Sequence, residues 1–257
     1  MSVCVVTAMD EGYLIQTEVM LVSLDSTYSG KEKLEIRVLI SPSLLDYEFK
    51  YDFNVINVKL VPVTQVEDPE VETAMVETYK FLRLTSASMY RYFMADQLPE
   101  FDKAVYLDAD IILNKDITPL LEYELSTPIA ALHEVQLVFN DNPQYRDTAY
   151  FNSGVMVVDL KFWRDKDIST KLLKQTETMS HWTGSGDQDV LNVLFKGKWT
   201  PLPLSFNYMV NVYKTVDIKE PLVIHWAGKT KPWLSNSPED KWKQLWKQYR
   251  AKLRTTT

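Results

Sequence analysis

The sequence predicts an α/β fold, a single compact domain with a mostly parallel central sheet flanked by helices. Three observations carry that expectation. Short runs rich in β-branched residues alternate with helical patterns from the first residues onward. The apolar run Val105-Tyr106-Leu107 ends in Asp108-Ala109-Asp110, which reads as a buried strand with two carboxylates at its carboxyl end, where ligands gather in such sheets. A length of 257 residues with 46% hydrophobic composition supports one well-buried core.

Residues 3–8 read as the first strand, 13–27 as a helix, 35–40 as a strand, 43–51 as a helix and 58–63 as a strand. This βαβαβ order implies parallel pairing with both faces covered. An acidic segment at 67–77 precedes a predicted helix at 86–97, stopped by Pro99, which delivers the chain into a fourth strand ending at Asp108. Further strands are expected at 129–132, 154–158 and 222–224, and helices at 167–179 and 187–195. Pro128, Pro143, Pro201 and Pro203 punctuate loops, and no repeat, low-complexity tract or linker interrupts the chain. Residues 1–110 are expected to form a nucleotide-binding half and 111–237 a substrate-binding half, followed by a basic amphipathic helix within 238–257.

Composition narrows the function. A formal charge of −7 argues against a nucleic-acid partner, which would need a basic face. One cysteine excludes an internal disulfide, and with three histidines it is too few for a structural zinc site, so a reducing, cytoplasmic setting is expected. Residues 1–10 lack a basic leader, and no apolar run reaches the roughly 18 residues that a spanning helix needs. The charge is uneven: residues 241–257 hold six basic and no acidic side chains. Trp242, Leu245, Trp246, Tyr249 and Leu253 fall there at helical spacing, which fits either a helix docked on the core or peripheral association with an anionic membrane surface.

Asp108 and Asp110 suit a hard divalent cation, and such a cation suits a diphosphate. Neither G-x-G-x-x-G nor G-x-x-x-x-G-K-[ST] occurs, so phosphates must be held without a glycine-rich cradle, by a cation and lysines. His225-Trp226-Ala227-Gly228-Lys229-Thr230-Lys231-Pro232-Trp233 adds an imidazole for a cation, a glycine permitting close backbone approach and point charges for a leaving diphosphate. Asp187-Gln188-Asp189 opens a helical pattern after Gly184-Ser185-Gly186; Ser185 or an aspartate is expected to cap it, while a carboxamide between carboxylates also suits sugar hydroxyls. Asn152 and Ser153 stand at a strand entrance as hydroxyl binders or turn formers, with Phe151, Val155 and Val157 in the core. Arg91, among Met89, Tyr90, Tyr92 and Phe93, calls for an anionic partner.

Together, Val105 to Asp110, Tyr150 to Gly154, Asp187 to Asn192 and His225 to Trp233 resemble the family 8 retaining glycosyltransferases, the group of glycogenin and the bacterial lipopolysaccharide galactosyl- and glucosyltransferases. The resemblance runs from Val3 to about Trp233 and is nearer to the bacterial branch. It implies a GT-A nucleotide-sugar fold, a Mn²⁺ ion (Mg²⁺ as the alternative) held by Asp108, Asp110 and His225, and UDP-galactose or UDP-glucose as donor. It also implies that Lys231 contacts the diphosphate beside Gly228, that Arg91, Asn152 and Ser153 contact the donor sugar, and that Asp187 binds sugar hydroxyls. Gln188 takes the position debated as nucleophile or transition-state stabiliser. Thr7, Ala8 and Asp10 receive uracil and ribose, with Ala109 lying between the metal carboxylates. Two departures stand out: Met9 intervenes before Asp10-Glu11, and His133-Glu134 replaces a sugar-contacting Asp, with Glu134 as its substitute. The acceptor implied is a glycan, free, lipid-linked or on a protein.

Two other classes compete. An aspartyl phosphatase would need Thr where this chain has Ile112, and would carry its motif near the start of the chain. A non-catalytic sugar-nucleotide or glycan-binding module on the same scaffold is the other, since fold does not dictate activity.

Overall fold

Four parallel strands build one side of the central sheet: β1 (Val3–Met9), β2 (Leu34–Ile40), β3 (Ile56–Pro62) and β4 (Lys103–Leu107). The computed structural model describes residues 2–64, 87–134, 149–179, 186–213, 216 and 218–254. Helix α1 (Leu14–Thr27) makes the crossover from β1 to β2, and β1 pairs with β2 and β4 in parallel, Val5 lying opposite Ile36 and Val105. Adding β6 (Ile129–His133), β7 (Phe151–Asp159) and β8 (Trp199–Leu202) gives seven strands in the order β3-β2-β1-β4-β7-β6-β8.

One strand is reversed. β7 runs antiparallel to both β4 and β6, so its first residues lie beside the last residues of β4; Leu107 faces Val155, and the Asp108 N–H donates to the Gly154 carbonyl at 2.8 Å. A second sheet of β5 (Ile111–Leu113), β10 (Val223–His225) and β9 (Tyr208–Met209) stands at that same end, in the order β5-β10-β9.

Alternation along the strands sorts side chains into two layers. Cys4, Val6, Ala8, Ala104 and Tyr106 pack with the segments α2 (Ala87–Tyr90) and α3 (Met94–Gln97), and with helices on the same face. Val5, Met9, Val105 and Leu107 pack on the other face against Met20, Leu21 and Leu24 of α1. Short helix α4 (Thr118–Leu121) lies on that second side, whereas α5 (Leu160–Asp165), α6 (Ile168–Met179) and α7 (Asp187–Leu194) contribute to the first.

The predicted helix at 43–51 is a single 3-10 turn, Pro42–Leu44. Tyr47, Phe49, Tyr51 and Phe53 recur at a spacing of two and pack together: Tyr47 with Phe49 and Phe49 with Phe53 meet edge to face and Tyr51 with Phe53 is tilted, with ring centroids 5.4–5.5 Å apart. Buried Glu18 binds the Tyr47 hydroxyl and the Lys50 N–H, anchoring that segment without a helix. The helix predicted at 86–97 is broken by the 3-10 turn Arg91–Phe93, and its first residue lies outside the described residues, as do Pro143 and the acidic stretch at 67–77. Every residue from Met89 to Ala95 is buried, so the segment follows the packing demands of all its sides and not one amphipathic stripe. β5, β8 and β9 go beyond the predicted strands; β8 carries Pro201, tolerated because this strand is at the sheet edge.

The terminal helix α8 (Lys241–Arg250) is docked. Asp240 caps it by accepting from the N–H groups of Trp242 and Lys243, and Trp246, Tyr249 and Leu253 are buried against Val19, Val22, Ile112 and Trp226. Lys243 is also buried, donating to the carbonyls of Leu234 and Ser237, while Lys241, Lys247, Arg250, Lys252 and Arg254 are exposed. Among the described residues, no helix is long and apolar enough to cross a membrane. Replacing Trp246 with Ala is expected to cost roughly 3–5 kcal/mol of stability by equilibrium denaturation; an unchanged midpoint would contradict the docking of α8.

Candidate active site

Three chain segments converge at one end of the sheets. The chain leaves β4 at Leu107, turns through Asp108, Ala109 and Asp110, and enters β5, whose Ile111 pairs with His225 at the end of β10. The N–H of Trp226 donates to the Asp110 carbonyl at 3.1 Å, closing the junction. Ligand atoms of Asp108, Asp110 and His225 consequently lie within 4.8 Å of one another. Lys231, brought back by the loop after β10, pairs with Asp110 and donates to the Trp226 carbonyl at 2.8 Å. Gly228 in that loop has φ +84°, a left-handed conformation that favours glycine.

Arg91 connects both acidic motifs. Its guanidinium lies 2.9 Å from Asp108 and 3.1 Å from Asp187, donates to the Ser153 carbonyl and hydroxyl at 3.0 and 3.1 Å, and sits over the Tyr106 ring at 4.4 Å. Burial works against this charge, and Asp108 and Asp187 outweigh it, holding the Arg91 pKa above its usual value. Gln188 is fixed by its neighbours: its carboxamide oxygen accepts from the Ser153 N–H at 3.0 Å and from Asn152 Nδ2 at 3.1 Å. Its Nε2 donates to the Tyr150 hydroxyl at 2.9 Å and to Glu134 at 3.2 Å.

These groups surround a cavity of about 510 Å³. Ala8, Asp10, Arg91, Asp108, Ala109 and Asp110 line it, as do Asn152, Ser153, Asp187, Gln188, His225, Gly228 and Lys231. Thr7 does not. Successive strand residues point to opposite faces, so Ala8 turns to the cavity while Thr7 is fully buried away from it. The expected helix cap also differs: Gly186, at φ 60°, takes the N-cap of α7, both Asp187 and Asp189 sit in its first turn, and Ser185 lies outside the described residues. Tyr13, Ala87, Ser88 and Ala227 line the cavity without having been singled out by the sequence. Tyr13 heads a helix after a loop and belongs to no motif, so only its burial identifies it; burial, then Asp110, Asp108 and Asp10, pushes its pKa up to about 12.

The model of the family described as Glycosyl transferase family 8 matches residues 4–237. The chain belongs to this family. Glycosyltransferase GlyB of Streptococcus pneumoniae is 36% identical over 180 residues, covering 63% of this family 8 chain and 42% of GlyB. Lipopolysaccharide 1,2-glucosyltransferase of Escherichia coli K12 is 31% identical over 183 residues, covering 63% of this chain and 54% of that enzyme. The matches span 23% to 61% of the lengths of four streptococcal relatives, so the chain corresponds to part of each. A crystal structure of the galactosyltransferase LgtC, in complex with donor and acceptor sugar analogues, superposes with a TM-score of 0.81 at 20% identity, over 100% of this chain and 98% of that one. The fold is therefore that of the GT-A glycosyltransferases.

In this family 8 chain the triad of Asp108, Asp110 and His225 fits a hard or borderline divalent cation. Asp110 Oδ1 is buried and accepts no hydrogen bond among the described residues, and it lies 3.3 Å from His225 Nε2. Burial raises the Asp110 pKa, but His225 and Lys231 outweigh it and hold the carboxyl below its usual value, in the ionised form a cation needs. Gly154 keeps the space open: a Cβ there would stand 2.4 Å from His225 Cε1 and 2.7 Å from Asp108 Oδ2. Gly154→Ala is accordingly expected to weaken Mn²⁺ binding at least about tenfold by calorimetric titration, and wild-type affinity would contradict this packing.

Burial pushes the Asp187 carboxyl up from 3.8 to about 6, with Arg91 opposing and Asp108 and Asp189 adding. A raised folded-state value means that ionisation works against folding, so stability present at low pH is lost as pH rises from about 4 through about 6. Asp187→Asn is expected to raise the thermal midpoint of the metal-free protein at about pH 8 and to leave it nearly unchanged at about pH 4. Equal shifts at both pH values would refute the assignment.

Proposed function

We propose that this family 8 chain is a retaining glycosyltransferase that moves galactose or glucose from a UDP-sugar to a glycan acceptor. The acceptor is a surface glycan such as lipopolysaccharide, or another lipid-linked or protein-borne glycan. The convergence of Asp108, Asp110 and His225 at the cavity, together with its polar lining of Arg91, Asn152, Asp187 and Gln188, carries this reading. Residues 1–110 would then serve the nucleotide and 111–237 the sugars. Ala8 and Asp10 lie at the end suited to uridine, and Asp10 Oδ2 is buried with no hydrogen-bond partner among the described residues, which suits a ribose hydroxyl.

Bound at the triad, Mn²⁺ or Mg²⁺ supplies positive charge that offsets the charge growing on the departing UDP. Lys231 adds a second cation on the same side, donating to a phosphate oxygen in place of Asp110. Arg91, Asn152 and Asp187 orient the sugar hydroxyls, as mixed donors and acceptors must. Gln188 is a poor nucleophile, both as a carboxamide and because its oxygen already accepts from Ser153 and Asn152. Same-face attack is the route proposed, with double displacement through Asp187 or Asp189 as the alternative: the acceptor hydroxyl bonds to the anomeric carbon, the bond to UDP breaks, and the hydroxyl proton passes to the departing phosphate oxygen. Glu134 is held above the usual carboxylate pKa by burial, against hydrogen bonds from Asn152 and Gln188, and lines the cavity as the substitute for a sugar-contacting aspartate. The exposed basic side chains of α8 support an additional, peripheral contact with an anionic membrane surface.

A screen of UDP-sugars with Mn²⁺ should show UDP release from UDP-galactose or UDP-glucose, with an α-configured product by NMR. Asp110→Ala should lower kcat/KM at least about a thousandfold while leaving the fold intact by circular dichroism. Full activity in that variant, or an inverted product, would sink the proposal.

A further inference from the structure

Asn207 lies immediately before β9, which pairs alongside β10, and is completely buried beside His225. Its side chain reaches both walls of the site. One amide atom lies 2.9 Å from His225 Nδ1 and the other 2.9 Å from Asn152 Oδ1.

The polarity of this chain of contacts can be worked out from the backbone. The Gly154 N–H, which can only donate, points at the Asn152 amide at 3.1 Å, so the atom facing it is the oxygen. That oxygen also faces Asn207, which must therefore present its NH₂ group there and turn its own oxygen to His225. An oxygen acceptor requires the proton on Nδ1. In the neutral ring the Nε2 lone pair then faces Asp110, where Asp110 Oδ1 lies 3.3 Å away and accepts no hydrogen bond among the described residues. The other half of the network is fixed in the same way, because the Ser153 N–H sets the oxygen end of Gln188.

We infer that Asn207 is a positioning residue for the cation site: it holds His225 in the tautomer with the proton on Nδ1, and ties that ring to Asn152 on the sugar-facing wall. The inference rests on the proposed cation reading for its purpose, while the tautomer itself is a property of the metal-free protein. A histidine ligand oriented by a hydrogen bond at its other nitrogen binds metal better, and loss of such a partner costs about 10–100-fold in affinity.

The test begins with the ring nitrogens of His225 in ¹⁵N-labelled, metal-free protein at about pH 9, where an ordinary imidazole is neutral. Substituting His133 and His181 singly assigns the three histidines. The expected spectrum has a protonated Nδ1 and a bare Nε2; a protonated Nε2 overturns the inference without any variant. Asn207→Leu should shift the ring toward the Nε2–H form and weaken Mn²⁺ binding by about 10–100-fold in calorimetric titration. Asn207→Asp can still accept from Nδ1 but cannot donate to Asn152. It should keep the tautomer and the Mn²⁺ affinity within about threefold while raising the KM for the UDP-sugar. Wild-type tautomer and affinity in Asn207→Leu, or loss of both in a folded Asn207→Asp, would also overturn it. If the wild-type protein binds no Mn²⁺, the cation reading fails, and the spectrum decides the tautomer on its own.

Discussion

The pairing of β5 with β10 is the constraint on which the site depends. Asp110 and His225 are far apart in sequence, and only the antiparallel register that sets Ile111 opposite His225 brings them to one place. The reversal of β7 does the same for the other wall, delivering Asn152 and Ser153 to the end where β4 releases Asp108. Backbone hydrogen bonds thus fix where the side chains meet, before any ligand contributes. The cost is a concentration of buried charge, offset because Arg91 is shared by Asp108 and Asp187 while Lys231 pairs with Asp110.

Much of this was legible in the sequence, for physical reasons. The strands β1, β2 and β4 are short, largely apolar runs bounded by turn residues, and such runs report burial on both sheet faces, whereas β3, at the sheet edge, is mostly half-buried or exposed. Residues 86–97 and 43–51 were harder to read: in the first, burial on all sides overrides helical periodicity, and in the second the spacing of Tyr47, Phe49, Tyr51 and Phe53 by two was the signal that a helix reading passes over. The orientation of β7 was not legible, because alternation in an apolar run carries no information about direction.

The site divides in the same manner. Asp108, Asp110, His225 and Lys231 belong to compact motifs whose residue types name their chemistry, and they meet in space. Tyr13 and Asn207 sit in segments without motif character, and their importance arises only from tertiary neighbours. Thr7, expected at the uridine end, differs from its neighbour Ala8: its side chain is fully buried while Ala8 lines the cavity, because adjacent strand residues point to opposite faces. Family membership and GT-A architecture rest on the match over residues 4–237 and on superposition at 20% identity. Neither of these specifies a substrate, because chemistry belongs to the site and not to the scaffold.

The central claim is that one divalent cation is shared by three side chains and grips a nucleoside diphosphate. Anomalous diffraction from crystals grown with Mn²⁺ and UDP measures this most directly. The account predicts one strong manganese peak ligated by Asp108, Asp110, His225 Nε2 and oxygens of both phosphates. A peak elsewhere, or UDP bound in the cavity with no manganese at that triad, would contradict it.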